Sequence, residues 1–302
     1  LDSSPTSLHQ LNCKMNLEWI HDDSGRLLHI EDHFHHFLPQ TYCAASFLLA
    51  IADPHEIIAL PKGLRYLKQF SSADILAKVP TDISQMTSER LNLKKPDLAF
   101  VAPYSHPPAL EALRNQDIAL YSLNYVNTVE EIQEALLKVG HTSNHILEAQ
   151  LLAIFMDASF LSIDNRLRAL QEKGNGSQVA RKFLYLSQRQ HYALPTRKCL
   201  TGQLMARALS HCSHLNGHIP DAQGEWRIPF EQEQILQSAP DVMIISTYAP
   251  FTSSIDLALQ ETQAFKSNQL FYIDEEIQES PTQYIVLAYF DLFQAIESTY
   301  SL

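Results

Sequence analysis

The chain has little glycine, few cysteines and few tryptophans: 8, 4 and 2 of 302 residues, respectively. The spacing of Cys13, Cys43, Cys199 and Cys212 matches no zinc motif, and their even number permits disulfides without requiring them. No uninterrupted apolar run approaches the roughly 18–20 residues of a membrane helix. The sequence also lacks G-x-S-x-G, G-x4-G-K-[ST], H-E-x-x-H and G-x-G-x-x-G, so it gives no indication of an enzyme.

Positive charge is scarce as well. The chain has 22 Lys+Arg against 34 Asp+Glu, which gives a net charge of -12, and it contains no run of basic residues. A nucleic-acid partner is therefore not expected, since phosphate backbones attract the opposite charge. The hydrophobic fraction of 45% is typical of a folded globular protein. A length of 302 residues favours two domains rather than one.

Strand and helix signals alternate through both halves of the chain. Short apolar runs at 56–60, 98–102, 118–123, 182–186, 242–247 and 270–273 are separated by helical patterns, the last two of them at 254–265 and 281–299. Such alternation predicts parallel sheets with helices on both faces. Residues 22–26, Asp-Asp-Ser-Gly-Arg, predict a tight turn between two further strands at the start of the chain.

A single long helix is predicted between the halves, at about 145–171. Its apolar positions Leu147, Leu151, Ile154, Ala158 and Leu161 step by 4, 3, 4 and 3 residues, which places them on one helical face. The sequence therefore predicts an N-terminal α/β lobe at 1–144, a connecting helix at 145–172 and a C-terminal α/β lobe at 173–302.

One sequence motif occurs in both halves of the chain. Glu89 stands seven residues before Pro96, Glu233 stands seven before Pro240, and both prolines are followed by Asp and an apolar run. Proline disfavours a helical residue before it, so it marks a change from helix to strand. An acidic residue near a helix N-terminus stabilises the helix dipole. The repeat therefore has a structural interpretation, although it also fits a matched pair of functional carboxylates.

In order and spacing, these segments resemble the class III periplasmic substrate-binding proteins of ABC importers. The resemblance covers about residues 17–298. It rests on the turn at 22–26, a strand ending at Pro39, the two E-x6-PD motifs and the long helix between them. It implies an α/β fold of two Rossmann-like lobes with parallel sheets, joined by one long backbone helix. It also implies a small-molecule ligand bound between the lobes, with no enzymatic chemistry and no cofactor.

The resemblance also implies a partner and a location. Glu89 and Glu233 match the positions at which family members present exposed glutamates to arginines of the ABC permease dimer. We expect a monomer located in the periplasm or anchored to the outer face of a membrane; the given sequence opens with polar residues, not with a signal peptide.

The ligand implied by the resemblance is an iron chelate such as a siderophore, haem or cobalamin. In open α/β sheets the ligand lies beyond the carboxyl ends of the strands, which selects the loops after each strand. Aromatic side chains there suit a large flat ligand. We predict that the ligand-binding residues are Tyr42, Arg65, Tyr66, Tyr104, His106, Arg197, Trp226 and Tyr248.

Two groups of histidines leave an alternative open. His33 and His35 share one face of a predicted strand, and His211, Cys212, His214 and His218 could supply zinc ligands, although their spacing fits no common template. A metal-binding protein or a metal-dependent enzyme that uses these clusters is the alternative function. A scaffold or sensor on the same fold, with no transport role, is another. Our main interpretation places no metal site in the protein.

Overall fold

The computed structural model describes residues 19–30, 34–67, 73–174, 180–221, 224–248 and 257–300. Cys13, His33 and the predicted start of a helix at residue 254 lie outside these ranges. In the described ranges, the N-terminal half contains a two-stranded hairpin and a three-stranded sheet, and the C-terminal half contains a six-stranded sheet; one long helix lies between the halves. The predicted α/β architecture of two lobes joined by a backbone helix is confirmed, whereas the lobe boundaries at 144/145 and 172/173 stay a prediction.

The N-terminal lobe begins with an antiparallel hairpin of β1 (Trp19–His21) and β2 (Leu27–His29). Asp22 builds its turn: Oδ1 accepts from the backbone N–H groups of Ser24 and Arg26 at 2.9 Å each. Oδ2, the other carboxylate oxygen, accepts from the backbone N–H of Ser122 at 3.2 Å, and Ser122 belongs to the parallel sheet of this lobe. The predicted turn is thus present, and the same aspartate attaches the hairpin to the rest of the lobe.

Three parallel strands form the sheet of this lobe, in the order β3-β4-β5. Helices on both sides connect them, because the strands are buried and parallel neighbours need crossover connections. The strands are β3 (Phe37–Pro39), β4 (Leu98–Val101) and β5 (Ala119–Ser122), and the helices are α1 (Tyr42–Ile51), α2 (Ala73–Ala77), α3 (Ser88–Lys94), α4 (Pro107–Arg114) and α5 (Val129–Thr142).

The long connecting helix is α6 (Ile146–Gly174), with 29 residues. Its packed face consists of Ala149, Ala153, Met156, Phe160, Ile163 and Leu167. The apolar face that predicted the helix is instead its exposed face, where Leu147, Leu151, Ile154 and Leu161 are 50–61% exposed. Within the described ranges one helix, Ile146–Glu172, is long and apolar enough to cross a membrane by length and composition alone. Charged residues interrupt the apolar sequence of this helix, but the helix still meets the criterion of length and composition.

The C-terminal lobe contains a larger sheet in the order β11-β10-β6-β7-β9, with β8 also paired to β6. Its strands are β6 (Arg181–Gln188), β7 (Tyr192–Pro195), β8 (Leu215–Gly217), β9 (Arg227–Pro229), β10 (Val242–Thr247) and β11 (Leu270–Asp274). Its helices are α7 (Leu200–Ser210), α8 (Gln232–Ser238), α9 (Leu257–Gln260), α10 (Gln263–Lys266), α11 (Glu275–Gln278) and α12 (Ile285–Ser298).

One local prediction is wrong, and the antiparallel strands β7 and β9 were not predicted. Residues 56–60 form no strand: a 3-10 turn at Pro54–Glu56 is followed only by isolated bridges, between Phe37 and Ile57 and between Leu60 and Asp82. The strand β7 pairs antiparallel with β6 and β9. The parallel core of the sheet, β11-β10-β6-β8, agrees with the prediction.

Each lobe is attached to α6 in its own way. On the N-terminal side, α5 packs closely because Gly140 lies against Ala149; a Cβ at Gly140 would clash with the Ala149 methyl group and lie 2.9 Å from the carbonyl oxygen of His145. On the C-terminal side, the buried carboxylate of Asp164 accepts hydrogen bonds from Tyr289 Oη at 2.6 Å and Arg207 Nη2 at 2.8 Å. Close packing of small residues attaches the N-terminal lobe to α6, whereas a charged, hydrogen-bonded cluster attaches the C-terminal lobe.

The lobes also contact each other directly. Ser46 Oγ donates to Gln283 Oε1 and Gln283 Nε2 donates to the Ser46 carbonyl oxygen, both at 3.0 Å and both buried. Gln203 Nε2 donates to the carbonyl oxygen of Asn127 at 2.7 Å. A single hydrophobic cluster continues from Phe37 through α6 to Phe183. These contacts leave the lobes closely connected around the cavity described next.

Candidate ligand-binding cleft

A cavity of about 400 Å³ lies between the lobes, at the carboxyl ends of the strands of both sheets. Thr41, Ala102 and Leu123 reach it from the ends of β3, β4 and β5, and Arg189 reaches it from the end of β6. The described wall consists of Thr41, Cys43, Ala102, Tyr104, Leu123, Asn124, Tyr125 and Val126 from the N-terminal lobe and Arg189, Cys199, Leu200, Trp226, Arg227, Glu279 and Pro281 from the C-terminal lobe.

The N-terminal wall presents aromatic rings. Tyr104 and Tyr125 follow adjacent strands, and their rings stack with centroids 5.0 Å apart and planes at 29°. Both side chains are 61% exposed, and Trp226 on the opposite lobe is 46% exposed. Large aromatic side chains left accessible on both sides of a cavity offer flat apolar faces to a ligand.

Two arginines and one glutamate of the C-terminal wall, Arg189, Arg227 and Glu279, form a charged cluster with Glu275 beneath them. Glu275 is fully buried and accepts from Ser187 Oγ at 2.7 Å and from Ser246 Oγ. Arg189 Nε and Arg227 Nη2 each lie 3.3 Å from Glu275 Oε1, and both guanidinium groups also pair with Glu279. We call these four residues the Arg–Glu cluster. The hydroxyl groups of Ser187 and Ser246 and the guanidinium groups of Arg189 and Arg227 hold Glu275 in place beneath the cavity surface.

Two of the predicted ligand-binding residues, Tyr104 and Trp226, line the cavity. Tyr248 lies beside it, with the guanidinium of Arg189 5.6 Å from its ring centroid. Tyr42 Oη packs against Gly63, where it leaves no room for a Cβ, and the Tyr66 side chain is 74% exposed. These tyrosines and the exposed His106 are not part of the cavity wall, so their ligand contacts stay a prediction.

The two predicted arginines are both paired away from the cavity. Arg65 Nε donates to Asp82 Oδ1 at 2.6 Å, and its terminal nitrogens donate to the carbonyl oxygens of Leu76 and Val79 at 3.1 and 2.6 Å. These bonds give Arg65 a structural role within its own lobe. Arg197 Nε lies 3.1 Å from Asp221 Oδ1 in an exposed ion pair. Neither residue belongs to the described cavity wall.

The prediction omitted the Arg–Glu cluster and Tyr125. Arg227 lies in β9, a strand that carries a weak signal because it has three residues. Glu275 stands in the first turn of α11, where an acidic residue has an ordinary explanation in the helix dipole. Only the sheet order, which places the ends of β6 and β11 on either side of β10, brings these side chains together.

Three cysteines, Cys43, Cys199 and Cys212, are free thiols in the described part of the chain. Cys43 and Cys199 line the cavity from opposite lobes. Burial raises the pKa of Cys43 to about 12 and also raises the pKa of Cys199. Both groups are therefore protonated at neutral pH and act as small apolar wall residues.

The histidines have other partners. His36 Nδ1 lies 3.3 Å from Asp97 Oδ2, and His35 Nδ1 lies 3.8 Å from Glu56 Oε1. His211 lies 3.4 Å from Asp164, and His214 Nδ1 lies 2.8 Å from Gln171 Oε1. In the described ranges, no group of three or more His, Cys, Asp and Glu side chains could hold a metal ion. The described residues therefore give no support to the histidine-based alternative.

The two repeated glutamates occupy equivalent positions. Glu89 lies in the first turn of α3 and Glu233 in the first turn of α8, and both are exposed. Each helix has seven residues and ends at a residue in the left-handed region, Lys95 or Ala239, with φ of 45° in both cases. The next elements, β4 and β10, are buried strands of the two sheets.

Residues 71–277 match the model of the periplasmic binding protein family. The chain belongs to this family. Its members are extracytoplasmic solute-binding proteins, which agrees with the predicted binding role. No curated protein matches the sequence.

Several solved structures have the same fold at low sequence identity. A possible iron-binding, periplasmic solute-binding protein from Staphylococcus epidermidis ATCC 12228 has a TM-score of 0.67 at 14% identity, over 87% of this chain and 98% of its own. The vitamin B12 binding protein BtuF of Vibrio cholerae has a TM-score of 0.61 at 16% identity, over 87% and 97%. The haem-binding protein RhuT from Roseiflexus sp. RS-1 has a TM-score of 0.61 at 14% identity, over 89% and 100%.

Proposed function

We propose that this protein is the receptor of an ABC importer and that it binds an iron chelate, haem or a corrinoid between its lobes. The observation that carries the proposal is the cavity at the carboxyl ends of both sheets, with the stacked Tyr104 and Tyr125 on one side and Trp226 on the other. Flat aromatic faces suit polycyclic ligands and metal chelates. Structures of similar fold include proteins described as binding iron, vitamin B12 and haem.

The wall residues define the proposed binding set. Tyr104 and Trp226 stay in it, and Tyr125, Arg189 and Arg227 join it because they line the same cavity. Tyr42, Tyr66, His106, Arg197 and Tyr248 would act at its margin. Arg65 leaves the set because its guanidinium bonds to Asp82 and to backbone carbonyls.

The proposed partner is a two-fold permease dimer that is contacted through Glu89 and Glu233. The supporting observation is that these side chains are exposed and make no ion pair or hydrogen bond with other described residues. Exposed pairs contribute little energy singly, but two matched pairs with arginines would orient a monomeric receptor on its partner. The buried Ser46–Gln283 contacts and the shared core favour a small closure of the lobes.

The first test is a titration of purified protein with haem, cobalamin and a panel of ferric siderophores, followed by the visible absorbance of each ligand. We expect saturable binding of at least one ligand at about micromolar Kd or tighter, the equivalent of about 8 kcal/mol. Absence of binding across the panel, together with stoichiometric metal in the protein as purified, would contradict the receptor proposal and favour a metal-binding function.

A further inference from the structure

The charges in the cavity wall compensate each other. Arg189 and Arg227 are the cationic residues of the described wall, which contains no lysine or histidine. The two guanidinium groups face two carboxylates, Glu275 and Glu279, and each guanidinium contacts both. The formal charge of the Arg–Glu cluster is therefore zero. Because Glu275 is buried and receives bonds from Ser187 and Ser246, it has no freedom to turn away from the arginines.

The neighbouring arginines add no free positive charge. Arg65 is held 2.6 Å from Asp82, and Arg197 is held 3.1 Å from Asp221. A polyanionic ligand would thus lose its hydration in the cavity without meeting an uncompensated cation among the described residues. Moving charge out of water in this way is unfavourable unless the charge is paired.

The cavity does offer neutral recognition. The rings of Tyr104, Tyr125 and Trp226 supply apolar faces, while Thr41 and Asn124 supply neutral polar groups. The hydroxyl group of Thr41 and the side-chain amide of Asn124 can bind a carbonyl, amide or hydroxamate oxygen, and such contacts do not require a charged ligand.

We propose that the cleft selects metal complexes of low net charge, such as ferric trishydroxamates and corrinoids, over polyanionic complexes such as ferric triscatecholates. This inference rests on the proposed receptor function and names the ligand class of the same site. The Arg–Glu cluster is the selecting element, because its carboxylates cancel the attraction that its arginines would otherwise exert on an anion.

The test compares an uncharged ferric trishydroxamate with a trianionic ferric triscatecholate by isothermal titration calorimetry at about 0.15 M ionic strength. We expect the uncharged complex to bind at least about tenfold more tightly, since each uncompensated charge in a partly buried site is strongly disfavoured. Tighter binding of the triscatecholate by the unmodified protein would overturn the inference and leave the receptor function intact. Failure of every complex in the panel to bind would overturn both.

The substitution Glu279→Gln makes the comparison sharper. It keeps the size of the side chain but leaves the cluster with one excess positive charge, so we expect the affinity for the triscatecholate to rise about tenfold. The affinity for the trishydroxamate should change less than about threefold. Glu261→Gln is the matched control, because it removes the same charge from the exposed pair with Lys266, outside the cavity wall, and should alter neither affinity.

If Glu279→Gln does not fold, the salt dependence of the unmodified protein gives a second measurement. Binding of the triscatecholate should be nearly insensitive to NaCl up to about 0.5 M, because a neutral wall has no net attraction for an anion that salt could screen. A loss of affinity of about tenfold or more with rising salt would overturn the inference. Equal affinities of Glu279→Gln and the unmodified protein for the triscatecholate would also overturn it.

Discussion

The segment α3–β4 of the N-terminal lobe and the segment α8–β10 of the C-terminal lobe follow the same backbone course. After each helix, Lys95 or Ala239 takes a left-handed conformation, and the aspartate that follows the proline donates its N–H to the neighbouring strand region: Asp97 to His36 at 2.9 Å and Asp241 to Lys182 at 2.8 Å. The carboxylates differ. Asp97 accepts from the backbone N–H groups of both His35 and His36, whereas Asp241 accepts from one backbone N–H group among the described residues, that of Lys182.

This comparison distinguishes two parts of the repeated motif, the proline–aspartate pair and the glutamate. The proline and aspartate are explained by folding, because they end a helix and connect the next strand to its neighbour. The glutamates are not explained in this way, since Glu89 and Glu233 project into solvent without a partner in the described structure. The helix dipole accounts for an acidic residue in each first turn, and the proposed contact with the permease is a second explanation of their matched positions.

The largest expected effect comes from the two glutamates together. The double substitution Glu89→Ala plus Glu233→Ala should abolish transport in a reconstituted importer, because both charged contacts with the permease are lost. Ligand affinity should not change, since neither residue lines the cavity. Glu111→Ala, another exposed glutamate of the N-terminal lobe, is the control and should transport normally. A parallel fall in ligand affinity would contradict the docking assignment.

The ionic attachment of the C-terminal lobe to α6 gives the next effect. Burial alone would raise the pKa of Asp164, but hydrogen bonds from Arg207 and Tyr289 and the charge of Arg207 hold that pKa below its ordinary value. Asp164→Asn should cost about 2–3 kcal/mol at pH 7, less than a fully buried pair because Arg207 is partly exposed.

That cost should depend on pH in a defined direction. A depressed carboxylate pKa stabilises the fold above about pH 4 and loses its contribution as the pH falls through the folded-state pKa. Urea unfolding at several pH values should therefore show the difference between Asp164→Asn and the unmodified protein shrinking in acid. A difference that grows in acid would contradict this account. Asp221→Asn, in an exposed pair, should stay within about 0.5 kcal/mol throughout.

The unequal aspartates of the repeat predict a smaller difference. Asp97→Ala should cost about 2 kcal/mol and Asp241→Ala about 1 kcal/mol, because charge-assisted bonds to two backbone donors are lost in one case and to one donor in the other, both at partly exposed sites. Denaturant unfolding of the two variants measures the comparison. Equal costs would show that the second bond to the His35–His36 backbone contributes no stability.

The smallest effect concerns the left-handed residues that end the two helices. Ala239→Gly should stabilise the protein by about 0.5–1 kcal/mol, because glycine has no Cβ to oppose a φ of 45°. Ala112→Gly, inside α4, should destabilise by about 1 kcal/mol, since a helical glycine loses more backbone freedom on folding. Thermal unfolding of both variants tests the prediction; destabilisation by Ala239→Gly would contradict it.

Several features were predictable from the sequence because they depend on local patterns. The turn at Asp22, the buried strands β4 and β10 and the length of α6 all follow from turn residues and periodicity. The periodicity did not predict which face of α6 is packed, because the helix is apolar on two sides. Its small residues Ala149 and Ala153 pack because α5 approaches closely at Gly140.

Pairings between distant residues account for most of the remaining differences. Arg65 lies within the 3-10 turn Lys62–Tyr66, but its guanidinium group is bound by Asp82, 17 residues later. The Arg–Glu cluster joins Arg189, which follows β6, Arg227 in β9, and Glu275 and Glu279, which begin and follow α11; no local pattern relates these residues. In contrast, Tyr104 was predictable because it follows β4, and loop aromatics after parallel strands of an α/β sheet reach the cleft directly. Trp226 directly precedes β9, so this rule does not account for its place in the cavity wall.

The most direct test of a ligand site between the lobes uses the two tryptophans, Trp19 in the hairpin and Trp226 in the cavity wall. The variant Trp19→Phe keeps the cavity tryptophan, and Trp226→Phe keeps the hairpin tryptophan. Titration with a ligand that the unmodified protein binds should strongly quench the fluorescence of Trp19→Phe and leave that of Trp226→Phe nearly unchanged. Equal quenching in both variants, or quenching confined to Trp226→Phe, would contradict a ligand site between the lobes.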